Sequence, residues 1–542
     1  MCQHPKPPSA ATTEINRAAT QLYDMDDRAD FTDARRGLIA PLPGPVYSDA
    51  DSSKVVFDPT QFDYLAGDPP VPDSVNPSLW RQSQLVSVGG LFEVTKGVYQ
   101  ARNNDIANMT VIEGEDGIVV IDCMAGVESA RQGMELIREH VTDKPVRAVI
   151  YTHTHIDHYG GVKGVVSAED VASGKVPIIA PGLQFDKFAI GENVVAGNAM
   201  ARRSFYAFGS MLPPGPQGFL TCGIGLQATR GPSVSYMSPT DLITETGTRR
   251  EIAGIEFEFL YAPDTEAPEE MHIWIPQFKA LTCAENANHS LHNIQTLRGA
   301  RTRDARNFAR YLDETLERWG ADAEVHYGPH TWPVWGNDQI TAFLESQRDT
   351  YKYIHDQALR LANKGYTPLE AAEEIELPDE LGRNWANRGY HGTVHHDVRA
   401  VYTKELGMWD GDPVSLHPHP PVEAAKRFVE FAGADKILAE GQRAIDAADI
   451  DLRINLDFTD AGEQWTMWIR RGVLNARRGK VDDAQLAISG AKPFLVATLL
   501  KPEAGATLAG GGKITLDGDD TVLSTFADLL DDFDPAFPMV TP

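Results

Sequence analysis

Residues 151–161 read Tyr-Thr-His-Thr-His-Ile-Asp-His-Tyr-Gly-Gly. The run before them, at 146–151, is apolar and β-branched, which is typical of a buried strand, and the glycine pair lets the backbone turn into a helix. Imidazole and carboxylate groups are ligands that Zn²⁺ prefers. If alternate side chains point to opposite sides, two ions share the loop, and the ligand pairs are His153 with His155 and Asp157 with His158. The alternative is a polar loop whose histidines only cap a sheet, and this spacing disfavours it.

The length and charge of the chain limit its class and its partners. A chain of 542 residues is too long for one hydrophobic core and predicts roughly three or four domains. The net charge of −28 at pH 7 argues against nucleic acid or an anionic membrane as a partner, since both would be repelled. No segment approaches the ~20 apolar residues of a membrane span, so no stable membrane insertion is expected. An anionic substrate would need a local basic patch.

The N-terminus and the cysteines bear on the compartment. Residues 1–8 lack the charged-then-apolar pattern of an export signal, which predicts a cytoplasmic protein. Export stays open, because a trimmed or misassigned start would hide such a signal. The four cysteines show neither metal-type nor redox-type spacing, and a reducing compartment fits them.

Two segments are predicted in the first part of the chain. Residues 1–85 are rich in Pro, Asp and Ser, and we expect an extended arm that lies over the domains, or a partly disordered leader. Residues 86–335 alternate strand and helix signals, including a β-hairpin turned by Asp-Gly at 116–117, and predict a sheet-based catalytic domain. Its long segment 182–245 is expected to wall the substrate site, because a loop of that size is uncommon unless it is functional.

Two further segments are predicted after the catalytic domain. Residues 336–420 have helical periodicity and a capping box at 367–370, and such a block packs either on its own chain or on a second copy. A Pro- and His-rich linker at 415–421 ends the block. Residues 421–542 carry their own helix and strand signals and predict a small α+β domain that buries its own core.

Two metal ions need more ligands than the motif loop supplies. Three metal-competent residues lie just past other predicted strands, where the motif loop also lies: Glu266, Glu285 and His330. A carboxylate can bridge two ions, and Glu285 suits that role. For each of the three alone, a solvated loop side chain is an equal alternative, and their common position at strand ends favours the metal site.

These motifs resemble a known superfamily and, within it, one family. The Thr-His-x-His-x-Asp-His pattern at 152–158 resembles the metallo-β-lactamase superfamily, and the chain is more closely similar to the alkyl sulfatases that degrade alkyl sulfate detergents. The closer resemblance covers nearly the whole chain through further motifs at 265–271, 284–286, 291–293, 296–300 and 330–336. As in that family, Glu266 replaces the histidine and Glu285 the bridging aspartate of most superfamily members.

The resemblance implies an α/β fold, namely a metallo-β-lactamase αββα sandwich followed by a helical dimerisation domain at 336–420. It also implies a C-terminal α+β domain at 421–542, like sterol carrier protein 2, that offers an apolar surface to alkyl chains. In that last domain a core position and a lipid-facing one fit equally well for Trp465, Met467, Trp468 and Phe494. The implied ligands are His153, His155 and Glu266 for one zinc ion, Asp157, His158 and His330 for the other, and Glu285 for both. A homodimer with two zinc ions per chain is therefore expected.

The predicted activity is hydrolysis of linear primary or secondary alkyl sulfate esters to an alcohol and inorganic sulfate, with a metal-activated water as nucleophile. Arg298 matches the family's sulfate-contacting arginine and offers a fork-shaped donor. Arg303 is a weaker alternative, because an arginine at a helix start is commonly solvated. The predicted catalytic residues are Asp157, Glu285, His289 and His292, and the predicted substrate-binding residues are Arg298, Asn288, Asn293 and Arg303. The sequence does not rank the hydrogen-bond and proton donors among Asn288, His289, His292 and Asn293.

Two rival functions and one open mechanism remain at this point. Another hydrolase of the superfamily, such as a phosphodiesterase or a lactonase, would share the metal motif, but the two glutamate replacements and the domain layout count against it. A non-catalytic lipid- or alkyl-binding protein would leave a complete ligand set idle. A di-iron member would carry Glu at position 155, which is His here. The sequence leaves open whether water attacks sulfur or carbon.

Overall fold

The computed structural model describes residues 6–228, 230–448, 450–470 and 473–529. The chain divides into two compact units, of which the first ends at Leu416 and the second begins at His417. Among these described residues, no helix is long and apolar enough to cross a membrane.

The elements of the first unit are numbered in chain order. Its strands are β1 (Leu38–Ala40), β2 (Val46–Tyr47), β3 (Val55–Phe57), β4 (Gly90–Thr95), β5 (Val98–Arg102), β6 (Met109–Glu113), β7 (Ile118–Ile121), β8 (Val146–Ile150), β9 (Ile178–Pro181), β10 (Asp241–Ile243), β11 (Thr248–Ile252), β12 (Ile255–Tyr261), β13 (Met271–Ile275), β14 (Ala280–Thr282), β15 (Val325–His326) and β16 (Val334–Trp335). Its helices are α1 (Ala10–Thr20), α2 (Ala29–Arg35), α3 (Pro77–Val86), α4 (Val127–His140), α5 (Ile156–Tyr159), α6 (Ala168–Ala172), α7 (Phe185–Ile190), α8 (Gly197–Ala207), α9 (Ala305–Thr315), α10 (Asn337–Ala362), α11 (Pro368–Glu374), α12 (Asp379–Gly382) and α13 (Val394–Leu406).

Two sheets form the centre of this unit. The first has eight strands in the order β1-β4-β5-β6-β7-β8-β9-β10, antiparallel as far as β7 and parallel from there. The predicted hairpin is confirmed as β6 and β7, and α4 makes the crossover that the parallel pair β7 and β8 requires. The second sheet has six strands in the order β11-β12-β13-β14-β15-β16, and only β14 and β15 run parallel.

Three apolar layers hold the sheets and helices together. Between the sheets, the layer draws on both, for example through Val119 of β7 and Phe257 of β12. On the outer side of the first sheet, Ile137 of α4 packs against the strands. On the outer side of the second sheet, Phe308 of α9 and Ile354 of α10 pack against β14. The first unit is therefore the αββα sandwich that the resemblance implies.

Residues 6–85 do more than lie along the surface as an extended arm. Strand β1 pairs with β4 at the edge of the first sheet, and α3 is buried along most of its length. Trp80 and Phe62 share an apolar cluster with Phe219 of the segment 182–245. The frequent prolines break the apolar residues into short runs, so sequence periodicity does not reveal these helices. Residues 1–5 of the predicted arm lie outside the described residues.

The helical block after β16 packs on its own chain. Ile340, Leu344 and Tyr351, which share the predicted face of α10, are fully buried in the same cluster as α9 and α13. The capping box is present, because Thr367 accepts from the backbone of Glu370 while the Glu370 carboxylate accepts from that of Thr367. This face of α10 therefore packs on its own chain, which is one of the two alternatives that the sequence leaves open.

The second unit is a separate α+β fold with its own core. Its helices are α14 (Pro421–Ala432), α15 (Ala434–Ala448), α16 (Lys492–Leu500), α17 (Gly505–Gly510) and α18 (Thr521–Asp528), and its strands are β17 (Asp451–Phe458), β18 (Glu463–Arg470), β19 (Val473–Arg478), β20 (Leu486–Gly490) and β21 (Ile514–Gly518). The sheet has the order β19-β18-β17-β20-β21, and Met467 lies in the core beneath it. Residues 471–472 and 530–542, which the sequence assigns to this domain, lie outside the described residues.

Candidate metal centre

The seven predicted ligands follow strand ends of both sheets and meet at one edge of the sandwich. His153, His155, Asp157 and His158 follow β8, Glu266 follows β12, Glu285 follows β14, and His330 follows β15. The two sheets also join there, since His153 pairs with Glu270 in an isolated bridge and the Met271 amide donates to the Thr152 carbonyl. The loops that carry the ligands are thus tied together by the backbone itself.

The ligand atoms form two groups that share one carboxylate. His153, His155, Glu266 and Glu285 make the first group, and Asp157, His158, Glu285 and His330 make the second. Within each group the ligand atoms lie within 4.8 Å of one another. Glu285 Oε1 lies 2.8 Å from His158 Nε2 and 3.4 Å from His153 Nε2, so one carboxylate faces both groups. Two metal ions bridged by Glu285 fit this arrangement.

Asp122, at the end of β7, orients the motif loop. It accepts hydrogen bonds from the backbone and hydroxyl of Thr152 at 2.8 Å each, and from His158 Nδ1 at 2.9 Å. Because Nδ1 of His158 is held in this way, Nε2 is the nitrogen that faces Glu285. A carboxylate behind a ligating histidine fixes the ring and raises its basicity.

Gly160 and Gly161 are required because a side chain would clash with neighbouring backbone, not because the backbone has an unusual φ angle. Both have ordinary helical φ values, −59° and −89°. A Cβ atom would lie 2.3 Å from the Ala125 carbonyl oxygen at the first position and 2.1 Å from the Cys123 carbonyl oxygen at the second. The glycine pair therefore lets the motif loop pack directly on the chain that follows β7.

Glu270, at the start of β13, connects two ligand-bearing loops. One of its oxygens accepts from the backbone amides of Glu266 and Ala267 and from the Thr265 hydroxyl, and the other accepts from the amide of Glu285 at 3.2 Å. Burial raises the pKa of Glu270 well above its usual value, and the nearby charge of Glu266 adds to the rise. The residue holds both glutamate ligands in place without itself belonging to either group.

The donor set fits metal ions better than it fits hydrogen bonding alone. His153 Nε2, His155 Nε2 and Glu266 Oε2 are buried, and within the described part of the chain none of them has a hydrogen-bond partner. Buried polar atoms normally have partners, because an unsatisfied one is costly. Burial also lowers the pKa of His153, with help from His158, which favours the neutral ring that binds metal.

The carboxylates of the two groups are held ionised. Burial alone would raise the pKa of Glu285, but the charge of His330 and hydrogen bonds from His158 and His292 outweigh it and hold that pKa well below its usual value. Burial of Glu266 is likewise outweighed by Arg303 and His155, so the pKa of Glu266 is lowered. Ionised carboxylates are the form that coordinates a divalent cation.

A cavity of about 240 Å³ opens onto both groups. Its polar lining includes Asp157, Glu266 and Glu285, together with the predicted residues His292, Arg298 and Arg303. Its apolar lining comes from α8 and several loops, and includes Ile106, Met200, Ala201, Phe208 and Ile224. The cavity therefore joins a charged end to an apolar surface.

The two predicted arginines occupy different positions in this cavity. Arg298 is partly exposed, and its Nη1 lies 3.1 Å from the Gly299 carbonyl oxygen and 3.4 Å from Met200 Sδ. Arg303 is buried rather than solvated, forms an ion pair with Glu266, and donates to the Asn293 carbonyl oxygen at 2.8 Å. Arg303 is thus committed to a metal-ligand carboxylate, whereas Arg298 has no carboxylate partner among the ion pairs of the described residues.

Three other predicted residues lie behind the cavity. Asn288 donates to the backbone carbonyl of Glu285 at 2.9 Å, and Asn293 donates to the carbonyl of His391 at 3.2 Å. His289 stacks on Trp332 with ring centroids 4.2 Å apart, and its Nδ1 faces the Thr331 hydroxyl. Of the two predicted catalytic histidines that do not belong to the ligand groups, the structure brings only His292 to the cavity.

Sequence reasoning missed four residues near the centre. Asp122 and Glu270 are the orienting carboxylates, and Glu192 has Oε2 3.6 Å from His155 Nε2. His391 lines the cavity 4.9 Å from the His292 ring, and burial lowers its pKa to about 3, so it is neutral at pH 7. Asp122 and Glu270 had a signal, because one ends a predicted strand and the other lies in a motif at 265–271. No metal-type spacing marks Glu192 or His391, since both reach the site from distant segments.

Comparisons with known proteins identify the relatives of this chain. Family models match residues 102–198 (Metallo-beta-lactamase superfamily), 367–458 (Alkyl sulfatase dimerisation) and 441–542 (Alkyl sulfatase C-terminal). A linear primary-alkylsulfatase of Pseudomonas sp. is 37% identical, over 99% of this chain and 93% of the relative. The chain belongs to the alkylsulfatase family. It is an enzyme of that class, a sulfuric ester hydrolase, as the sequence predicts.

Other alkylsulfatases are similar to this chain in sequence and in structure. An (R)-specific secondary-alkylsulfatase of Pseudomonas sp. is 42% identical over 83% of this chain and 68% of its own length. The solved structure of the stereoselective inverting sec-alkylsulfatase Pisa1 of Pseudomonas sp. superposes with a TM-score of 0.79 at 35% identity, and the match covers 99% of each chain. The predicted fold class is thereby confirmed. The dimerisation match crosses residue 421, and the predicted domain boundaries stay predictions.

Proposed function

We propose that this alkylsulfatase hydrolyses linear alkyl sulfate esters to an alcohol and inorganic sulfate, with two zinc ions held by the seven predicted ligands. The observation that carries the proposal is the pair of ligand groups that share Glu285. Among the described residues, three histidine and carboxylate atoms there are buried without hydrogen-bond partners, which two ions would satisfy. The N/O donor set, rich in imidazole, is one that suits zinc.

The charge of the centre suits an anionic substrate in spite of the acidic chain. The carboxylates of Asp157, Glu266 and Glu285 balance three of the four positive charges that two divalent ions carry. Arg298 adds a cation in the same cavity. A sulfate head group is therefore attracted locally, although the chain as a whole has a net charge of −28.

Bound zinc would supply Lewis acidity and a water of lowered pKa. The residues of the chain then have separate roles. Asp122 and Glu270 hold the ligands in position, and Arg298 binds sulfate oxygens through its planar fork of donors. His292 is the proposed hydrogen-bond or proton donor to the leaving group, because it lines the cavity while His289 does not.

The apolar lining of the cavity accounts for the alkyl chain of the substrate. Each methylene removed from water contributes about 0.8 kcal/mol, so a long chain supplies binding that the well-hydrated sulfate head cannot. Met200, Phe208 and Ile224 are the apolar side chains available in the first unit. We propose the C-terminal domain at 421–542 as a second, sterol-carrier-like apolar surface for the chain.

The match of residues 367–458 to the alkyl sulfatase dimerisation model supports a homodimer. Light scattering at micromolar protein is expected to give twice the mass of one 59.4 kDa chain. A single-chain mass at that concentration would contradict the dimer.

The activity and the metal content are tested together on the purified protein. We expect two zinc ions per chain by elemental analysis, release of inorganic sulfate from octyl and dodecyl sulfate, and loss of activity on treatment with a chelator that zinc reverses. One ion or fewer in fully active, folded protein would contradict the two-ion centre. Hydrolysis of phosphodiesters or lactones without any hydrolysis of alkyl sulfates would contradict the substrate class.

A further inference from the structure

The segment that lines the cavity from α7 to α8 has a second, outward surface. The side chains of α8 that line the cavity follow a helical spacing, at Gly197, Met200, Ala201 and Ser204. Tyr206 lies on the opposite side of α8, because it is offset by about half a turn from the lining residues, and Val195 ends the π-helical turn that precedes α8. The side chains of Val195 and Tyr206 are 81% and 91% exposed, so no described residue of the first unit covers them.

The outward surface is apolar over a larger area than these two residues. Four further apolar side chains are exposed: Leu183 just before α7, Val194 in the π-helical turn after it, Phe205 on α8, and Leu297 in a loop that contacts α8. The loop is joined to α8 because the Arg203 guanidinium donates twice to the Leu297 carbonyl oxygen. We call these six residues, with Val195 and Tyr206 at the centre, the outer α8 face. Contiguous exposed apolar patches mark interaction surfaces rather than ordinary protein surface.

The exposed charged residues around the outer α8 face are mostly cations, whereas the chain as a whole is acidic. These neighbours are the cations Lys187, Arg202, Arg203 and Arg301, and one carboxylate, Asp186. That carboxylate accepts a hydrogen bond from the hydroxyl of Tyr236. By contrast, the whole chain has 77 acidic and 49 basic residues. An apolar surface rimmed by cations on an acidic protein is complementary to an anionic amphiphile.

We propose that the outer α8 face docks the enzyme on aggregates of anionic single-chain amphiphile, that is, on micelles of its own alkyl sulfate substrate. The proposal rests on the function proposed above. Since the other side of α8 lines the cavity, a docked enzyme has its cavity wall at the aggregate surface. A substrate molecule then passes from the aggregate to the centre without its full chain crossing water. This route accounts for the apolar surface that stays exposed beside the cavity.

The test compares two double variants of the full-length zinc-loaded protein. Val195→Ser with Tyr206→Ser removes the apolar centre of the outer α8 face, and Leu22→Ser with Val71→Ser removes two exposed apolar side chains elsewhere in the first unit. The binding probe is micelles of dodecanesulfonate, whose carbon–sulfur bond is not an ester and is not hydrolysed. We expect the first variant to bind these micelles roughly tenfold more weakly than the native enzyme, and the second to bind them equally well.

Kinetics give the second measurement. The rate on decyl sulfate is expected to rise further when the substrate passes its critical micelle concentration, and the Val195→Ser/Tyr206→Ser variant is expected to lose that rise. Its kcat/KM on hexyl sulfate below micelle formation should stay within roughly twofold of native, because the altered side chains do not line the cavity. Failure of the native enzyme to hydrolyse alkyl sulfates of any chain length would refute the proposed function, whereas an unchanged micelle response in the variant would refute the docking surface alone.

Three further outcomes would overturn the choice of occupant. Equal binding to zwitterionic dodecylphosphocholine micelles would remove the role of the cations. Tighter binding to phosphatidylglycerol vesicles than to dodecanesulfonate micelles would assign the face to a lipid membrane. A change in mass by light scattering in the Val195→Ser/Tyr206→Ser variant would assign it to a second copy of the chain.

Discussion

The cavity has two kinds of lining, and they differ in how firmly the fold holds them. The polar lining lies on strand-end loops that are buried and joined by hydrogen bonds through Asp122 and Glu270. The lining from α8 lies on a short helix preceded by a π-helical turn at Gly191–Val195, and one whole side of it is exposed. The groups proposed for the chemistry thus lie on the more firmly held part, and the part proposed to contact the alkyl chain is lightly packed. Substitutions in the first lining should affect every substrate, and those in the second should depend on chain length.

The largest effect is expected at the shared carboxylate. Glu285→Ala removes a ligand from both groups, so we expect loss of bound zinc and a fall in kcat/KM of roughly a thousandfold or more, since several kcal/mol of stabilisation disappear. Elemental analysis and kinetics on short and long esters measure it. Glu324→Ala, which removes an exposed carboxylate just before β15, is the control and should keep both ions. Retention of two ions by Glu285→Ala would contradict the bridging role.

A smaller effect, again on substrates of every chain length, is expected at Glu270, which supports two of the ligand loops. Glu270→Gln replaces an acceptor of several hydrogen bonds by an amide with one accepting oxygen, so the loops of Glu266 and Glu285 lose part of their support. We expect zinc affinity to fall roughly 10- to 100-fold, as is usual for such supporting groups. Competition with a chelator measures it. Glu269→Gln, whose carboxylate bonds the Tyr261 hydroxyl and the Gln184 amide, is the neighbouring control. Equal zinc affinity in both variants would show that Glu270 does not position the ligands.

Arg298 tests the head-group part of the polar lining. Arg298→Lys keeps the charge but loses the planar fork, so we expect KM to rise roughly tenfold for all chain lengths, with weaker inhibition by inorganic sulfate. The zinc content should not change, because Arg298 belongs to neither ligand group. Arg306→Lys, at an exposed position on α9, is the matched control. A KM that changes only for long chains would remove Arg298 from the head-group site.

The smallest effect is expected on the α8 side of the comparison. Met200→Ala shortens an apolar side chain that lines the cavity, so we expect KM to rise roughly tenfold for dodecyl sulfate and less than about twofold for butyl sulfate. A chain-length series measures the difference. Met408→Ala, at a fully exposed methionine, should leave the series unchanged. Equal losses at every chain length would show that Met200 does not contact the alkyl chain.

Much of this molecule follows from local sequence. The strand β8, the hairpin of β6 and β7, and the helix α10 follow from apolar periodicity, and a metal-type spacing identifies His153 to His158 as a group. Glu266, Glu285 and His330 are predictable because parallel and neighbouring strands deliver their ends to one edge of a sheet. Each of these signals lies within a few residues of the side chain concerned.

The orientation of several loop side chains near the centre depends on the tertiary structure. Arg303 pairs with Glu266 instead of facing solvent, and His289 stacks on Trp332 instead of reaching the cavity, because packing from distant segments settles which way a loop side chain points. Glu192 and His391 approach the centre from far along the chain, and no local pattern marks them. The sequence determines the residues that can bind metal and the strands that carry them. Long-range packing decides which polar side chains become buried beside those ligands. The burial of each side chain and the groups that it contacts then set its charge and its role.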